Sequence, residues 1–313
     1  MTKKMNNSIC IIRNYSPSDF NNYFQFRTET EQYDRSRRYF TPRALAESLS
    51  RPDYTPEKDL FLAEIDGKIV GFCSLTPELR IGRVILDCMV HPKHRRKGIA
   101  TSLLQYVLKR AKEYGALIAQ TEIPETNLAA KLLVSGLGFR AVHRFYELGL
   151  ELHNLLWPSV ESSLTSRSLK SGEEDKLTEI QNRCFTGTWG FNPNTIDDIV
   201  YRVHLSGCSP EDVILFYNGH NLIGYCWILI NSEENLALGT NKGRIHMMGV
   251  DPDCRGKGQG KAVLLAGLSL LKERGIKHAE LSVDSENEAA CALYKSAGFE
   301  IFSTTEWYEK ALA

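Results

Sequence analysis

Short apolar runs broken by turn residues recur along the chain and set its organisation. FLAEIDGKIVGFCSL, from Phe61, is two apolar segments around Asp66-Gly67; ILFYNGHNLIGYCWIL, from Ile214, is two more around Asn218-Gly219. Asp-Gly and Asn-Gly suit tight turns because both central residues need positive φ, so each run predicts an antiparallel hairpin. A short strand (Ile9–Arg13; Leu164–Leu169) and helical stretches (about Pro42–Leu49; Thr195–His204) precede each hairpin. A further strand (Gly82–Val90; Gly243–Val250) then enters a glycine-containing loop and a long helix (about Gly98–Tyr114; Gly258–Arg274), with Gly115 and Gly275 as C-terminal stops. A strand (Leu117–Glu122; Lys277–Val283), a helix (Asn127–Gly136; Asn287–Ala297) and a last strand complete each half.

The two halves are one pattern written twice. Residues 90–139 align with 250–299 without a gap at an offset of 160, and 17 of the 50 positions are identical. Among them are Val90/Val250, Pro92/Pro252, Arg95/Arg255, Gly98/Gly258, Asn127/Asn287 and Phe139/Phe299. Internal repetition is read before anything else because it decides the fold. The hairpins align at an offset of 153, so the second half carries extra residues, which the polar run Asn231–Lys242 accommodates. Hairpins followed by strand–helix–strand units imply an α/β architecture, a mostly antiparallel mixed sheet flanked by helices, in each half. The expected division is residues 1–150, a linker over 151–163, and 164–313.

Composition narrows the function. Lys plus Arg and Asp plus Glu both number 38, so no global field favours nucleic acid or an anionic membrane. Met1–Ser8 lacks an apolar signal core, no run approaches a membrane span, and a cytoplasmic protein is expected. Eight scattered cysteines show no C-x-x-C pair or zinc-like spacing, so free thiols and no metal are expected. Oligomeric state is not legible.

Anion binding must then be local. VDPDCRGKGQGKA, from Val250, and VHPKHRRKGIATS, from Val90, each join a strand end to a helix start. Small residues let backbone approach a ligand, and the helix N-terminus presents free N–H groups to an anion. Arg255, Lys257 and Lys261 add charge in one copy; Arg95, Arg96 and Lys97 do so in the other. A P-loop is excluded, since ending it at Gly260-Lys261 puts Arg255 at its first glycine and Ala262 at its Ser/Thr. A dinucleotide fingerprint starting at Gly256 or Gly258 would need its third glycine at Lys261 or Val263.

Arg255-Gly256-Lys257-Gly258-Gln259-Gly260 and Arg95-Arg96-Lys97-Gly98-Ile99-Ala100 instead match [RQ]-x-x-G-x-[GA]. On this motif, occurring twice and followed each time by asparagine and Gly-Phe, the chain resembles the GNAT N-acetyltransferases in tandem. The arrangement is similar to that of mycothiol synthase, whose C-terminal GNAT domain is the catalytic one. The resemblance implies acetyl-CoA as co-substrate. Val90, Met248, Gly249, Val250 and the two loops would bind the cofactor, the loop amides holding its pyrophosphate, with Asn287 and Asn127 lining its pantetheine arm. Both asparagines also suit helix N-caps, and the two roles coexist.

The halves are chemically unequal. Acetyl transfer to an amine needs a base, an N–H donor to the carbonyl oxygen, and a proton for the leaving thiolate. In GNAT enzymes that proton often comes from a tyrosine seven residues after the asparagine. The position holds Tyr294 in the second half and Val134 in the first. His246 stands where the arylalkylamine N-acetyltransferases carry histidine, while the first half has Leu86, with Asp87 and Cys88 beside it. With period two, His246, Met248 and Val250 are expected on one face. His246, Glu280 or a bound water remain alternative bases, and the Met248 N–H is the expected oxyanion donor. Catalysis is therefore expected in the second half, with the first supporting it.

The acceptor is expected over Cys184–Leu205, with Trp189 and Phe191 as stacking groups and Asp197 and Asp198 attracting an amine. In the first half Tyr33, Arg35, Arg37, Arg38 and Tyr39 form a basic-aromatic stretch. The expected activity is transfer of acetyl to a primary amine of a small molecule, without nucleic-acid or membrane partners. A protein N-terminal or lysine acetyltransferase, and a non-catalytic acyl-CoA sensor, are the alternatives.

Overall fold

Asp66 and Gly67, at φ +50° and +75°, turn the first hairpin as their residue types require. The computed structural model describes residues 10–33, 41–155 and 164–312. The basic-aromatic stretch beyond Tyr33 and most of the expected linker lie outside the described residues. The first half runs β1 (Cys10–Asn14), α1 (Phe20–Glu31), α2 (Pro42–Leu49), α3 (Pro56–Asp59), β2 (Leu60–Ile65), β3 (Lys68–Glu78) and β4 (Arg83–Val90). It continues through α4 (Ile99–Glu113), β5 (Ile118–Pro124), α5 (Leu128–Gly136) and β6 (Arg140–Glu151). The second half repeats the order with β7 (Thr165–Ser168), α6 (Glu174–Phe185), α7 (Ile196–Val203), β8 (Val213–Asn218) and β9 (Asn221–Leu229). It closes with α8 (Ser232–Leu238), β10 (Lys242–Val250), α9 (Gln259–Glu273), β11 (His278–Asp284), α10 (Glu288–Ala297) and β12 (Glu300–Ala311). The expected polar insertion thus contains a short helix, α8, capped by Asn231 accepting from the Glu234 N–H.

Each half's strands pair β1-β2-β3-β4-β5 and β7-β8-β9-β10-β11, antiparallel except for β4/β5 and β10/β11. Each sheet is covered on both faces, as alternating strand residues demand. In the first unit Tyr23, Phe26, Leu45, Leu60, Leu62 and Phe72 pack beneath α1 and α2. Leu75, Val84, Leu103, Val107 and Val134 pack beneath α4 and α5. In the second, Leu177, Ile180, Ile199, Val203, Tyr225 and Trp227 face α6 and α7, while Cys226, Ile245, Leu264, Leu268 and Tyr294 face α9 and α10. Burying each Leu, Ile or Phe contributes about 1.5–3 kcal/mol, which makes these faces the main stabilising term.

The compact units do not follow the expected cut near residue 150. The first comprises 1–142 and 307–313, and the second 143–306. The cause is strand pairing. The β6 ladder runs antiparallel to β11, from Phe145↔Asp284 to Glu151↔His278. Leu148, Leu150 and Leu152 then fill the core containing Leu281 and Ile245. At the other end, Tyr308 and Leu312 are buried among first-unit residues. The Leu312 N–H donates to the Leu117 carbonyl (2.9 Å), and Gln120 Nε2 to Glu309 Oε2 (2.7 Å).

Candidate active site

The strand-to-helix loops are built as their composition requires. Gly98 and Gly258 precede α4 and α9 in the left-handed region, at φ +80° and +77°. A left-handed residue just before a helix turns the chain sharply, leaving the first helical N–H groups unpaired within the helix and facing outward. Gly256 is also left-handed, at φ +77°, and a Cβ on Gly256 or Gly258 would meet nothing within 4 Å. The matching residue in the first loop is Arg96, held at φ +63°. A side chain there is strained where the second loop has glycine.

The arginines expected to add free charge are used structurally. Arg255 Nε donates to the Val250 carbonyl (3.0 Å), and its Nη2 to the Cys184 carbonyl (2.6 Å). Arg95 Nε makes the same bond to Val90 (2.9 Å). Each arginine pins its loop to the end of the preceding strand. Lys257, Lys97 and Arg96 project into solvent, while Gln259 and Lys261 are half-buried. Gln259 Oε1 is buried without a partner among the described residues. Ile99 is a core residue, so only its backbone faces the loop; Ala100 is half-buried, and a Cβ on Gly260 would be in ordinary contact with Leu293 at 3.5 Å.

Between β10 and β11 the sheet opens. The two pair in parallel only from Lys242↔His278 to Arg244↔Glu280. Beyond that point β10 carries a bulge: Ile245 faces Ile228 and Met247 faces Trp227, leaving His246 without a cross-strand partner. The equivalent β3/β4 ladder runs unbroken from Gly71↔Val90 to Glu78↔Arg83. The bulge corrects the period-two expectation. Val250 and Met248 pack toward α9 and α10 with Ile245, whereas His246 meets Trp227, on the α6 side, with ring centroids 5.1 Å apart and planes near perpendicular. One extra residue in the strand reverses the face of everything on one side of it.

Partial desolvation of the His246 ring lowers its pKa, with Arg202 and Arg244 adding to the shift. The residue as a whole stays open to solvent, which tempers the penalty. His246 is neutral at physiological pH, where an ordinary imidazole, at about 6.5, would be partly charged. Glu280 is occupied: Lys242 Nζ lies 2.6 Å from it, with Arg244 (3.8 Å) and His278 (3.6 Å) behind.

Tyr294 sits on α10, buried to 7% exposure and edge-on to Phe299 at 5.9 Å. Burial, with Cys226 and Cys291 nearby, raises its phenol pKa, so it stays protonated. Val134 occupies the same place in the first unit, also in the core. Asn287 and Asn127 each cap their helix, accepting from the N–H of Ala290 and Ala130 at 3.1 Å.

The acceptor-side residues split. Asp198 closes a capping box with Thr195, its carboxylate accepting from the Thr195 N–H at 2.8 Å, while Asp197 is exposed. Phe191 stacks on Phe185 at 6.2 Å. Trp189 lies flat on His143, centroids 4.2 Å apart and planes within 6°. His143 Nε2 in turn is 2.6 Å from Asp284 Oδ1. Neither His143 nor Asp284 stands out in the sequence, because the contact joins β6, β11 and the segment after α6. In the first unit Asp87 faces Arg27 at 3.8 Å, and Cys88 lies opposite Cys73. Among the described residues no group of three His, Cys, Asp or Glu could hold a metal, and no helix is long and apolar enough to cross a membrane.

Known proteins share this construction. The model of the acetyltransferase (GNAT) family matches residues 20–139 and 174–299. The chain is 26% identical to a mycothiol acetyltransferase of Amycolatopsis mediterranei (strain U-32), covering 85% of this chain and 91% of that one. A mycothiol acetyltransferase of Thermobispora bispora is 29% identical over 82% and 85% of the two chains. A GCN5-related N-acetyltransferase from Sphaerobacter thermophilus superposes with a TM-score of 0.76 at 20% identity, covering 97% and 96%. A tandem GNAT protein from the clavulanic acid biosynthesis pathway gives 0.72 at 14% identity, covering 97% and 99%.

Proposed function

The chain belongs to the GNAT acetyltransferase family and is an acyltransferase, and from that premise we propose that its second half moves the acetyl group of acetyl-CoA onto a primary amine of a small molecule. The observation that carries the reading is the break in β10 at His246, beside an opening to β11 and absent from the unbroken β3/β4 ladder. An extended thioester arm needs such an opening, and a bulge frees strand backbone to meet it.

In this reading Gly256–Lys261 and the start of α9 hold the pyrophosphate through backbone N–H groups, with Lys257 and Lys261 adding charge. The pantetheine arm lies between β10 and β11, beside Gly249, Val250 and Asn287. The amine nitrogen attacks the thioester carbon, and the Met248 N–H stabilises the oxyanion. Nitrogen bonded to that carbon is far more acidic than in the free ammonium, so neutral His246, directly or through water, accepts its proton. The carbon–sulfur bond breaks as Tyr294 Oη gives its proton to the departing thiolate, yielding amide and free CoA. Val134 supplies no such proton, so the first half supports its neighbour and holds acetyl-CoA in the loop Arg95–Ala100 at most. The name of the curated relatives supports a small-molecule acceptor related to mycothiol chemistry.

Calorimetric titration with acetyl-CoA tests the proposal, alongside Gly258→Asp and Gly98→Asp. Each substitution puts a negatively charged side chain on a left-handed residue of the loop proposed to hold the pyrophosphate. The expected result is a site lost with Gly258→Asp; a second site lost with Gly98→Asp would make the first half a cofactor-bound support. Absence of binding in the unaltered chain would end the acetyl-CoA reading.

A further inference from the structure

The three-part contact Asp284–His143–Trp189 has no part in the steps above, yet it crosses the opening where they take place. Cys184, at the end of α6, lies over β10: its Cβ is 2.7 Å from where a Cβ on Gly249 would stand, and its carbonyl accepts from Arg255. Five residues later Trp189 stacks on His143, two residues before the β6/β11 ladder begins at Phe145↔Asp284. Continuing the parallel register of β10 and β11 past the bulge brings Asp284 level with Met248–Gly249. The segment therefore passes over the unpaired stretch between the two strands at the height of the proposed thioester. Its two contacts lie about two strand spacings apart, about 10 Å, and the segment bridges them while turning at Phe185–Thr188, where the Thr188 N–H donates to the Phe185 carbonyl (3.0 Å).

The segment is also built to turn. Gly187 and Gly190, which flank Trp189, have φ of +82° and +67°, and a Cβ on Gly187 would meet nothing within 4 Å. Trp189 is half-buried, with Phe145 at 6.1 Å, tilted against it. His143 is the fixed surface: its side chain is 3% exposed, held at Nε2 by Asp284, with Glu286 3.7 Å from Nδ1.

We propose that Trp189 is a latch over the acyl group on the α6 side of the β10/β11 opening, and that His143, anchored on Asp284, is the positioning residue that holds it shut. Closed, the indole keeps water from the thioester and forms the wall against which an amine is aligned. Asp284 sets the imidazole plane, and the imidazole sets the indole plane. This rests on the acetyl-CoA reading above.

The test uses the full chain without any amine. Acetyl-CoA binding is measured by calorimetry and slow release of CoA by chromatography, for the unaltered chain, His143→Ala, Trp189→Ala, and the aromatic-preserving Trp189→Phe and His143→Phe. The expected result is that both alanine variants bind acetyl-CoA within about threefold but release CoA to water about three- to tenfold faster, the ratio that loss of one stacked ring pair produces in an open–closed equilibrium. Trp189→Phe restores most of the protection, since a flat ring still stacks, whereas His143→Phe, which cannot bond to Asp284, restores only part of it; full protection in His143→Phe overturns the anchoring by Asp284. A second readout is the tryptophan emission change on adding acetyl-CoA, which Trp189→Phe removes in large part while calorimetry still registers binding. Unchanged CoA release in both alanine variants, with binding intact, overturns the latch and leaves the acetyl-CoA reading standing. A Trp189→Phe variant that leaks as fast as Trp189→Ala overturns the stacking role. If the unaltered chain binds no acetyl-CoA, the latch falls together with the reading it rests on.

Discussion

Tyr294→Phe separates catalysis from packing at one atom. The phenol is 7% exposed, its ring edge-on to Phe299 within the α9/α10 core. Removing only Oη keeps the ring contacts and volume, and volume-conserving core changes typically cost less than about 1.5 kcal/mol. The melting temperature should therefore stay close to that of the unaltered chain. The chemistry should not hold, because loss of a general acid typically lowers turnover by about 10²–10⁴-fold. Turnover is read as CoA formed under saturating acetyl-CoA and an amine the unaltered chain accepts, with melting followed by circular dichroism. The raised phenol pKa also fixes a sign. The folded chain retains a proton that the unfolded chain loses above about pH 10, so this residue's contribution to stability falls as pH rises past that point, and Tyr294→Phe should remove that part of the alkaline loss. A phenylalanine variant turning over within threefold of the unaltered chain would refute the acid role. A variant that loses stability in step with activity would show the hydroxyl to be structural.

Three further outcomes follow from the geometry. In Gly267→Ala, the new methyl would lie 2.4 Å from Cys226 Sγ and 2.9 Å from Ile245 Cδ1; urea unfolding should register a loss of about 1–3 kcal/mol, the usual cost of overpacking. Arg96→Gly relieves a left-handed side chain at φ +63° and should stabilise the first unit by up to about 1 kcal/mol, the strain relieved being partly offset by the greater freedom of glycine when unfolded. His246 has a folded pKa below its unfolded value, so its contribution is present above about pH 6.5 and is lost as pH falls toward 4. The acid-side drop in melting temperature should shrink in His246→Gln, and an identical pH dependence in both proteins would show that the ring is not desolvated.

The repeat and its turns were legible because they rest on local chemistry. Positive φ at Asp66-Gly67, the left-handed glycines before α4 and α9, and the asparagine caps of α5 and α10 depend on residues within four positions of one another. Such preferences act wherever the segment goes, so the two-fold plan, the order of elements and the glycine loops before the two long helices can be read from the chain alone. Tyr294 opposite Val134 was legible for the same reason, as one position in an ungapped alignment.

Other features were decided only by which distant segments met. β6 and β12 are both amphipathic strands, and alternation says which face of a strand is buried, not which strand lies beside it; the ladder with β11 carries β6 into the second unit. The bulge at His246 depends on how β9 and β10 register across the sheet, and one unpaired residue moves the imidazole to the face opposite Met248. Arg255 looked like free charge until its guanidinium met carbonyls at Val250 and Cys184. His143 and Asp284 carried no signal at all, since the group they form with Trp189 draws on three separate segments. Local sequence determined which conformations each segment prefers; pairing and packing, which act between residues far apart in the chain, decided where the chemistry-bearing side chains point.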